Sequence, residues 1–134
     1  MTATPRAIEL LQIAARAADA KPADDLVALD VSEPLPLTDV FLLASGRSER
    51  NVVAIAGEIE DKMLEAGVKT LRREGRAEGR WILLDFGDVV AHVFHDDDRQ
   101  YYSLERLWSD CPTIALDVLA EAPGGVDAGA PAEA

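Results

Sequence analysis

The sequence predicts a single α/β domain, with a mixed β-sheet and helices on both faces, in the order α-β-β-α-β-β-β-α. Two short apolar runs, Trp81 to Leu84 and Val89 to Phe94, flank the turn Asp85-Phe86-Gly87-Asp88. Each run is too short for a soluble helix, and glycine takes a positive φ easily, so the segment is predicted to be a hairpin. Both faces of both strands are apolar, which requires cover on each side. A chain of 134 residues can bury about two-thirds of its unfolded surface as one domain.

The first half of the chain predicts a helix and two strands. Thr4 is an N-cap residue and Pro5 suits the first helical position, so helix one is expected to run from there to Lys21-Pro22. Residues 26–31 alternate as a strand, and residues 40–45 form a second strand that is apolar on both faces.

The second half predicts a long helix, a short strand, the hairpin and a last helix. Ser48 is placed to cap the long helix and Gly67 to end it. The short strand is expected near residues 69–73. The last helix is expected to begin near Asp98, with aromatic residues on one face, and to end at Cys111-Pro112.

The folded domain is predicted to span residues 1–112. Residues 113–134 consist largely of Ala, Gly, Pro and acids, with one short apolar cluster from Ile114 to Leu119. This composition predicts a disordered acidic tail.

Charge and cysteine content narrow the classes of partner and compartment. The net charge is −12, which disfavours extensive nucleic-acid contact and favours a basic partner. The segment 69–80 is a local basic exception, with five cations against two acids. A single cysteine, Cys111, makes no internal disulfide, and the first helix carries charges instead of an apolar run, so a cytoplasmic protein without a membrane span is expected.

Several polar groups are candidates for catalysis or ligand binding. Asp85 and Asp88 flank a turn, where aspartates more often cap backbone N–H groups than perform catalysis. The acidic run 95–98 and His92 lack the spacing of a metal site or a nucleophile–base pair. Residues 45–48, at a strand-to-helix junction, are the best anion-binding candidate, but they lack the P-loop pattern. The residues therefore favour a binding module over an enzyme, with no metal or cofactor.

Four of the seven aromatic residues lie within 28 positions: Trp81, Tyr101, Tyr102 and Trp108. Each could belong to the core, which is the usual place for such side chains. Tyr and Trp are also enriched at the centres of protein interfaces.

The segment from Trp81 to Phe94, followed by Arg99 to Trp108, closely resembles the bacterial ribosomal silencing factor family, also called the Iojap or RsfS family. The resemblance extends upstream through Leu29-Asp30-Val31, the stretch 37–46 and Glu74-Gly75, and it covers the chain from about Ala7 to Cys111.

The resemblance implies a protein that binds the large ribosomal subunit through its fourteenth protein, blocks joining of the small subunit and represses translation when nutrients are scarce. It also implies a nucleotidyltransferase-like fold and a homodimer off the ribosome. A nucleotidyltransferase needs a Gly-Ser turn followed by an Asp-x-Asp pair to hold two metals. Gly46 is instead followed by Arg47, so the fold is expected without that chemistry.

The predicted partner-binding residues lie on the hairpin and the last helix. Trp81 and Tyr102 are the expected anchors, Leu83 and Phe86 the surrounding apolar contacts, and Asp85 and Asp88 the charge partners or turn-formers. Two alternatives remain open at this point. One is an enzyme that handles a nucleotide or phosphate at residues 45–48 and the Asp85/Asp88 turn, and the other is an RNA-binding factor that uses segment 69–80.

Overall fold

The computed structural model describes residues 2–98 and 109–120, which form a mixed five-stranded sheet with two long helices. The elements are α1 (Pro5–Ala20), β1 (Asp24–Asp30), β2 (Val40–Gly46), α2 (Glu49–Glu65), β3 (Arg72–Glu74), β4 (Trp81–Asp85), β5 (Val89–His95) and α3 (Asp117–Ala120). The predicted α/β class and the order of elements through β5 are confirmed.

The strands lie in the order β1-β2-β5-β4-β3. Within the described chain, β2 and β5 run parallel, and the other neighbouring pairs are antiparallel. The parallel pair is possible because α2, β3 and β4 intervene between β2 and β5, which gives the chain enough length to cross back. β4 and β5 form the predicted hairpin, with Trp81 opposite Phe94 and Leu83 opposite His92.

Both long helices begin and end at the residues that the sequence indicates. The Thr4 hydroxyl accepts a hydrogen bond from the Ala7 N–H at 3.1 Å, and the Ser48 hydroxyl accepts one from the Asn51 N–H at 3.0 Å. Each bond satisfies a backbone donor that the first turn of a helix leaves free. Gly67, with φ of +87°, lies just beyond the end of α2 and takes the left-handed conformation typical of a helix C-terminus.

The main core lies between the sheet and the two helices. α1 and α2 pack side by side on one face of the sheet, where alternate strand residues such as Leu42, Ile82 and Leu84 meet Leu11 and Ile55. A second apolar layer lies on the opposite face of the sheet. Its buried members are Leu29, Val31, Phe41, Leu43, Val90 and Phe94. Residues 96–98 are helical, but residues 99–108, where most of the predicted last helix falls, lie outside the described residues. Cover of this second face by a helix therefore stays a prediction.

The predicted boundary at residue 112 is wrong for residues 113–120. Thr113 forms a β-bridge with Leu29, and the Ile114 N–H donates to the Ala28 carbonyl at 2.9 Å, so the chain covers the outer edge of β1. Leu116 is buried in the main core. The apolar cluster after Pro112 therefore packs on the domain through Leu116, with Ile114 and Val118 partly buried beside it. Residues 121–134 lie outside the described residues, so disorder of that part stays a prediction.

Candidate partner-binding surface

The proposed anchor Trp81 lies on the second face of the sheet, opposite the helices. It is half-buried at the start of β4, and its ring packs against Phe94 with ring centroids 5.1 Å apart. Its indole N–H donates a hydrogen bond to Nδ1 of His92 at 3.2 Å. Strand alternation places Leu83, also half-buried, on the same face. Trp81 and Leu83 are therefore adjacent members of one aromatic-centred layer.

The turn between β4 and β5 is built by its two aspartates. An Asp85 carboxylate oxygen accepts a hydrogen bond from the Gly87 N–H at 2.8 Å, and Gly87 has φ of +93°. The Asp88 carbonyl accepts hydrogen bonds from the N–H groups of Asp39 and Val40 at 2.9 and 3.0 Å. Asp85 thus forms the turn with its side chain, whereas Asp88 uses its backbone and leaves its exposed carboxylate facing solvent.

Phe86 does not belong to this surface, so its assignment as a partner contact was wrong. It is 6% exposed and belongs to the main core beneath the helices. The reason is strand alternation, which puts residue 86 on the same side as Ile82 and Leu84 and opposite Trp81. Tyr102, the second proposed anchor, lies outside the described residues.

Two exposed leucines near the hairpin turn were missed by the sequence reasoning. Leu71 is 71% exposed, and its N–H donates to the Asp85 carbonyl at 2.7 Å. A Cβ added at Gly87 would lie 3.6 Å from the Leu71 side chain, so this leucine sits over the turn. Leu37 is 86% exposed. It lies two residues before Asp39, whose N–H donates a hydrogen bond to the Asp88 carbonyl in the turn. The available signal was a leucine in each of two loops that contain few other large apolar residues.

The strand-to-helix junction at residues 45–48 uses its polar groups internally. The Ser48 hydroxyl caps α2, and the Asn51 side-chain oxygen accepts a hydrogen bond from the Arg47 N–H at 2.9 Å. The Arg47 guanidinium pairs with Asp24 at 3.0 Å. Burial raises the pKa of the neighbouring Asp96, and the charges of Asp24 and Asp25 raise it further. These carboxylates oppose an incoming phosphate, so the junction gives little support to the nucleotide-handling alternative.

The described residues also give little support to a metal site or to a reactive thiol. Among residues 2–98 and 109–120, no three His, Cys, Asp or Glu side chains are grouped to hold a metal ion. Burial and the nearby charges of Asp110 and Asp30 raise the pKa of the Cys111 thiol, which opposes formation of a reactive thiolate.

The basic segment 69–80 is largely neutralised by acids of the protein itself. Arg73 and Arg76 both pair with Glu60, Arg72 pairs with Glu74, and Arg80 pairs with Asp98 and Glu49. Burial raises the pKa of Glu60, but hydrogen bonds from Arg73 and Thr70 outweigh that effect and leave the pKa below its ordinary value. Four of the five cations are engaged in this way, which weakens the RNA-binding alternative.

None of the described helices has the length and apolar character needed to cross a membrane.

Together the fold and this surface define a mixed α/β domain with an aromatic-centred layer on the face of its sheet opposite α1 and α2, and with internally paired polar clusters among the described residues. The family model "Ribosomal silencing factor during starvation" matches residues 4–133. A ribosomal silencing factor from Bacillus subtilis is 49% identical over 108 residues, which is 81% of this chain and 92% of that protein. The chain therefore belongs to the ribosomal silencing factor family.

A solved structure and a more distant relative agree with this assignment. A crystal structure of a protein from Bacillus halodurans has a TM-score of 0.72 and 47% identity, with coverage of 81% of this chain and 98% of that one. The mouse protein named for mitochondrial assembly of the ribosomal large subunit is 28% identical over 90 residues, which is 65% of this chain and 40% of that protein. Membership makes this protein a ribosome-associated regulator and not an enzyme, as predicted. The likeness to nucleotidyltransferases stays a prediction.

Proposed function

We propose that this protein binds the large ribosomal subunit, through the subunit's fourteenth protein, on the face where the small subunit docks. The observation that carries the proposal is the match over residues 4–133 to a family described by ribosome silencing during starvation. The relative from mouse, whose name refers to the large subunit, supports the choice of subunit. In this proposal the protein is a cytoplasmic translational repressor that acts when nutrients are scarce, and it is a homodimer off the ribosome.

The binding surface is centred on Trp81 and Leu83. Both side chains are half-buried on the face of the sheet opposite α1 and α2, so each keeps part of its surface exposed. Aromatic anchors surrounded by smaller apolar contacts are the usual centre of a protein interface. Tyr102 is proposed as a second anchor because of its place in the sequence motif.

Charge supports a basic partner. The chain carries 25 acidic and 13 basic residues, and four of the cations in its one basic segment are already paired. The carboxylates of Asp85 and Asp88 flank the apolar area and favour Lys and Arg side chains across the interface. A ribosomal protein that borders RNA offers such side chains.

Inhibition follows from occupancy alone. A bound domain of this size excludes the small subunit sterically, and its remaining acidic surface repels incoming ribosomal RNA. No chemical step is needed, which agrees with the internally paired polar clusters.

A subunit-joining assay tests the proposal. Light scattering of mixed small and large subunits should rise more slowly and to a lower plateau when the protein is added to the large subunits first. Leu83→Ala should weaken this inhibition. Leu64→Ala is the matched control, because it removes the same atoms from a leucine that is 57% exposed on α2, on the opposite side of the sheet. Unimpaired joining at saturating wild-type protein would refute the proposal.

A further inference from the structure

The ring of His92 is buried in the second face of the sheet, directly beneath the proposed anchor. It is 6% exposed, although histidine is a polar residue, and its neighbours are aromatic. The Phe41 ring meets it edge-on at 4.7 Å, and the Phe94 and Trp81 rings lie 6.1 and 6.0 Å away. On the neighbouring strands β2 and β4, Leu43 and Leu83 lie opposite His92 in the register, one on each side.

One hydrogen bond defines the chemical state of this ring. Because the Trp81 indole N–H is a donor only, the His92 Nδ1 that faces it at 3.2 Å must be the unprotonated acceptor. The proton of the neutral ring therefore resides on Nε2. Among the described residues, Nε2 is buried and has no hydrogen-bond partner. Burial also lowers the pKa of His92 to about 4, so the ring is neutral at pH 7.

A buried N–H group without a partner destabilises a fold, and an apolar side chain of similar size would avoid that penalty. An apolar side chain at position 92 would, however, leave the Trp81 indole N–H without its hydrogen-bond acceptor. From this geometry we propose that His92 is a positioning residue, which holds the indole ring of Trp81 in the orientation that meets the partner. The inference rests on the function proposed above, because His92 orients the residue that is proposed there as the anchor of the interface.

The described contacts restrain the Trp81 ring in two ways. Phe94 packs at 5.1 Å with an angle of 35° between the ring planes, which limits the tilt of the indole. The hydrogen bond to His92 fixes which edge of the indole points inward. An anchor that is already ordered loses less conformational entropy on binding, and for one large side chain this corresponds to about a 3- to 10-fold gain in affinity.

Two substitutions at position 92 separate positioning from packing. His92→Asn keeps an acceptor oxygen near the place of Nδ1, whereas His92→Leu keeps apolar volume and removes the acceptor. We expect His92→Leu to unfold in urea at pH 7.5 at a midpoint no lower than that of the wild type, yet to bind isolated large subunits about 3- to 10-fold more weakly. His92→Asn should bind close to the wild-type affinity, even if it is less stable.

The dependence on Trp81 provides the control. In a Trp81→Phe background there is no indole N–H to hold, so His92→Leu should leave the remaining affinity unchanged. Equal binding by wild type and His92→Leu would overturn the inference, and so would equal losses for the Asn and Leu variants. If wild-type protein fails to bind large subunits at all, the proposed function fails, which is a distinct result.

A spectroscopic measurement on the intact protein does not depend on the ribosome or on the Leu variant. The indole N–H resonance of Trp81, identified by its loss in Trp81→Phe, should exchange slowly with solvent in wild type and in His92→Asn. Rapid exchange in the wild type would show that the hydrogen bond does not hold the ring, and the inference would then be wrong.

Discussion

The burial of His92 makes the stability of the fold depend on pH in a calculable way. In the folded protein its pKa is about 4, and the ordinary value is 6.5. Below pH 6.5 the unfolded chain therefore takes up a proton that the folded chain resists. The unfolded state then binds more protons than the native state, so the free energy of unfolding falls as the pH falls through this window.

The size of the effect follows from these two pKa values. Between pH 7.5 and pH 5.0, linkage gives a loss of about 2 kcal/mol in the free energy of unfolding from this one group. The loss arises because burial withdraws the His92 ring from water, which disfavours its charged form in the folded protein. pH 5.0 also lies above the sequence pI of about 4.4, so the protein keeps a net negative charge during the measurement.

Urea unfolding of wild type and His92→Leu at both pH values isolates this contribution. All other ionisable groups are the same in both proteins, so their effects cancel in the difference. The wild type should lose about 2 kcal/mol more than His92→Leu on going from pH 7.5 to pH 5.0. Equal losses in the two proteins would refute the assignment of a buried, neutral His92.

Three further predictions concern the fold. Phe86→Ala should lower the free energy of unfolding by about 3–5 kcal/mol, because it leaves a cavity in the core. Leu64→Ala, at an exposed site, should change it by about 0.5 kcal/mol or less. Similar urea midpoints for the two variants would contradict the core placement of Phe86. Gly75→Ala should lower the free energy of unfolding by about 1–3 kcal/mol, because Gly75 has φ of +84° and an added Cβ would lie 1.9 Å from the Trp81 carbonyl oxygen. An unchanged melting temperature would argue against this close approach. Removing residues 121–134 should leave the melting temperature unchanged, whereas removing residues 113–134 should lower it by several degrees, because the second deletion breaks the pairing with β1. Identical melting curves for the two truncations would show that residues 113–120 contribute nothing.

Local signals predicted the elements well because the residues at the element ends act through their nearest neighbours. Thr4 and Ser48 cap the helices through bonds to residues three positions onward, and Gly67 has the positive φ that ends α2. Gly87 likewise forms the turn that the two flanking apolar runs require. Each cap or turn involves residues that are close in sequence, so a short window of sequence contains the whole signal.

The errors concern which surface a residue faces and what a distant segment packs against. Phe86 packs on the same side of the sheet as Ile82 and Leu84, because the alternation of β4 continues one residue beyond the end of the strand. The docking of residues 113–120 on β1 depends on an edge that only the assembled sheet presents. The bond between Trp81 and His92 also joins neighbouring strands, and no local pattern specifies it.

The affinity of Trp81→Ala for isolated large ribosomal subunits tests the central claim most directly. Wild-type protein should sediment with large subunits but with neither small subunits nor assembled ribosomes. Trp81→Ala should bind large subunits at least about thirtyfold more weakly, a loss of about 2 kcal/mol or more, while its urea midpoint shows that it remains folded under the assay conditions. Leu64→Ala, measured in parallel, should bind as the wild type does. Wild-type affinity in a stably folded Trp81→Ala protein would contradict the account.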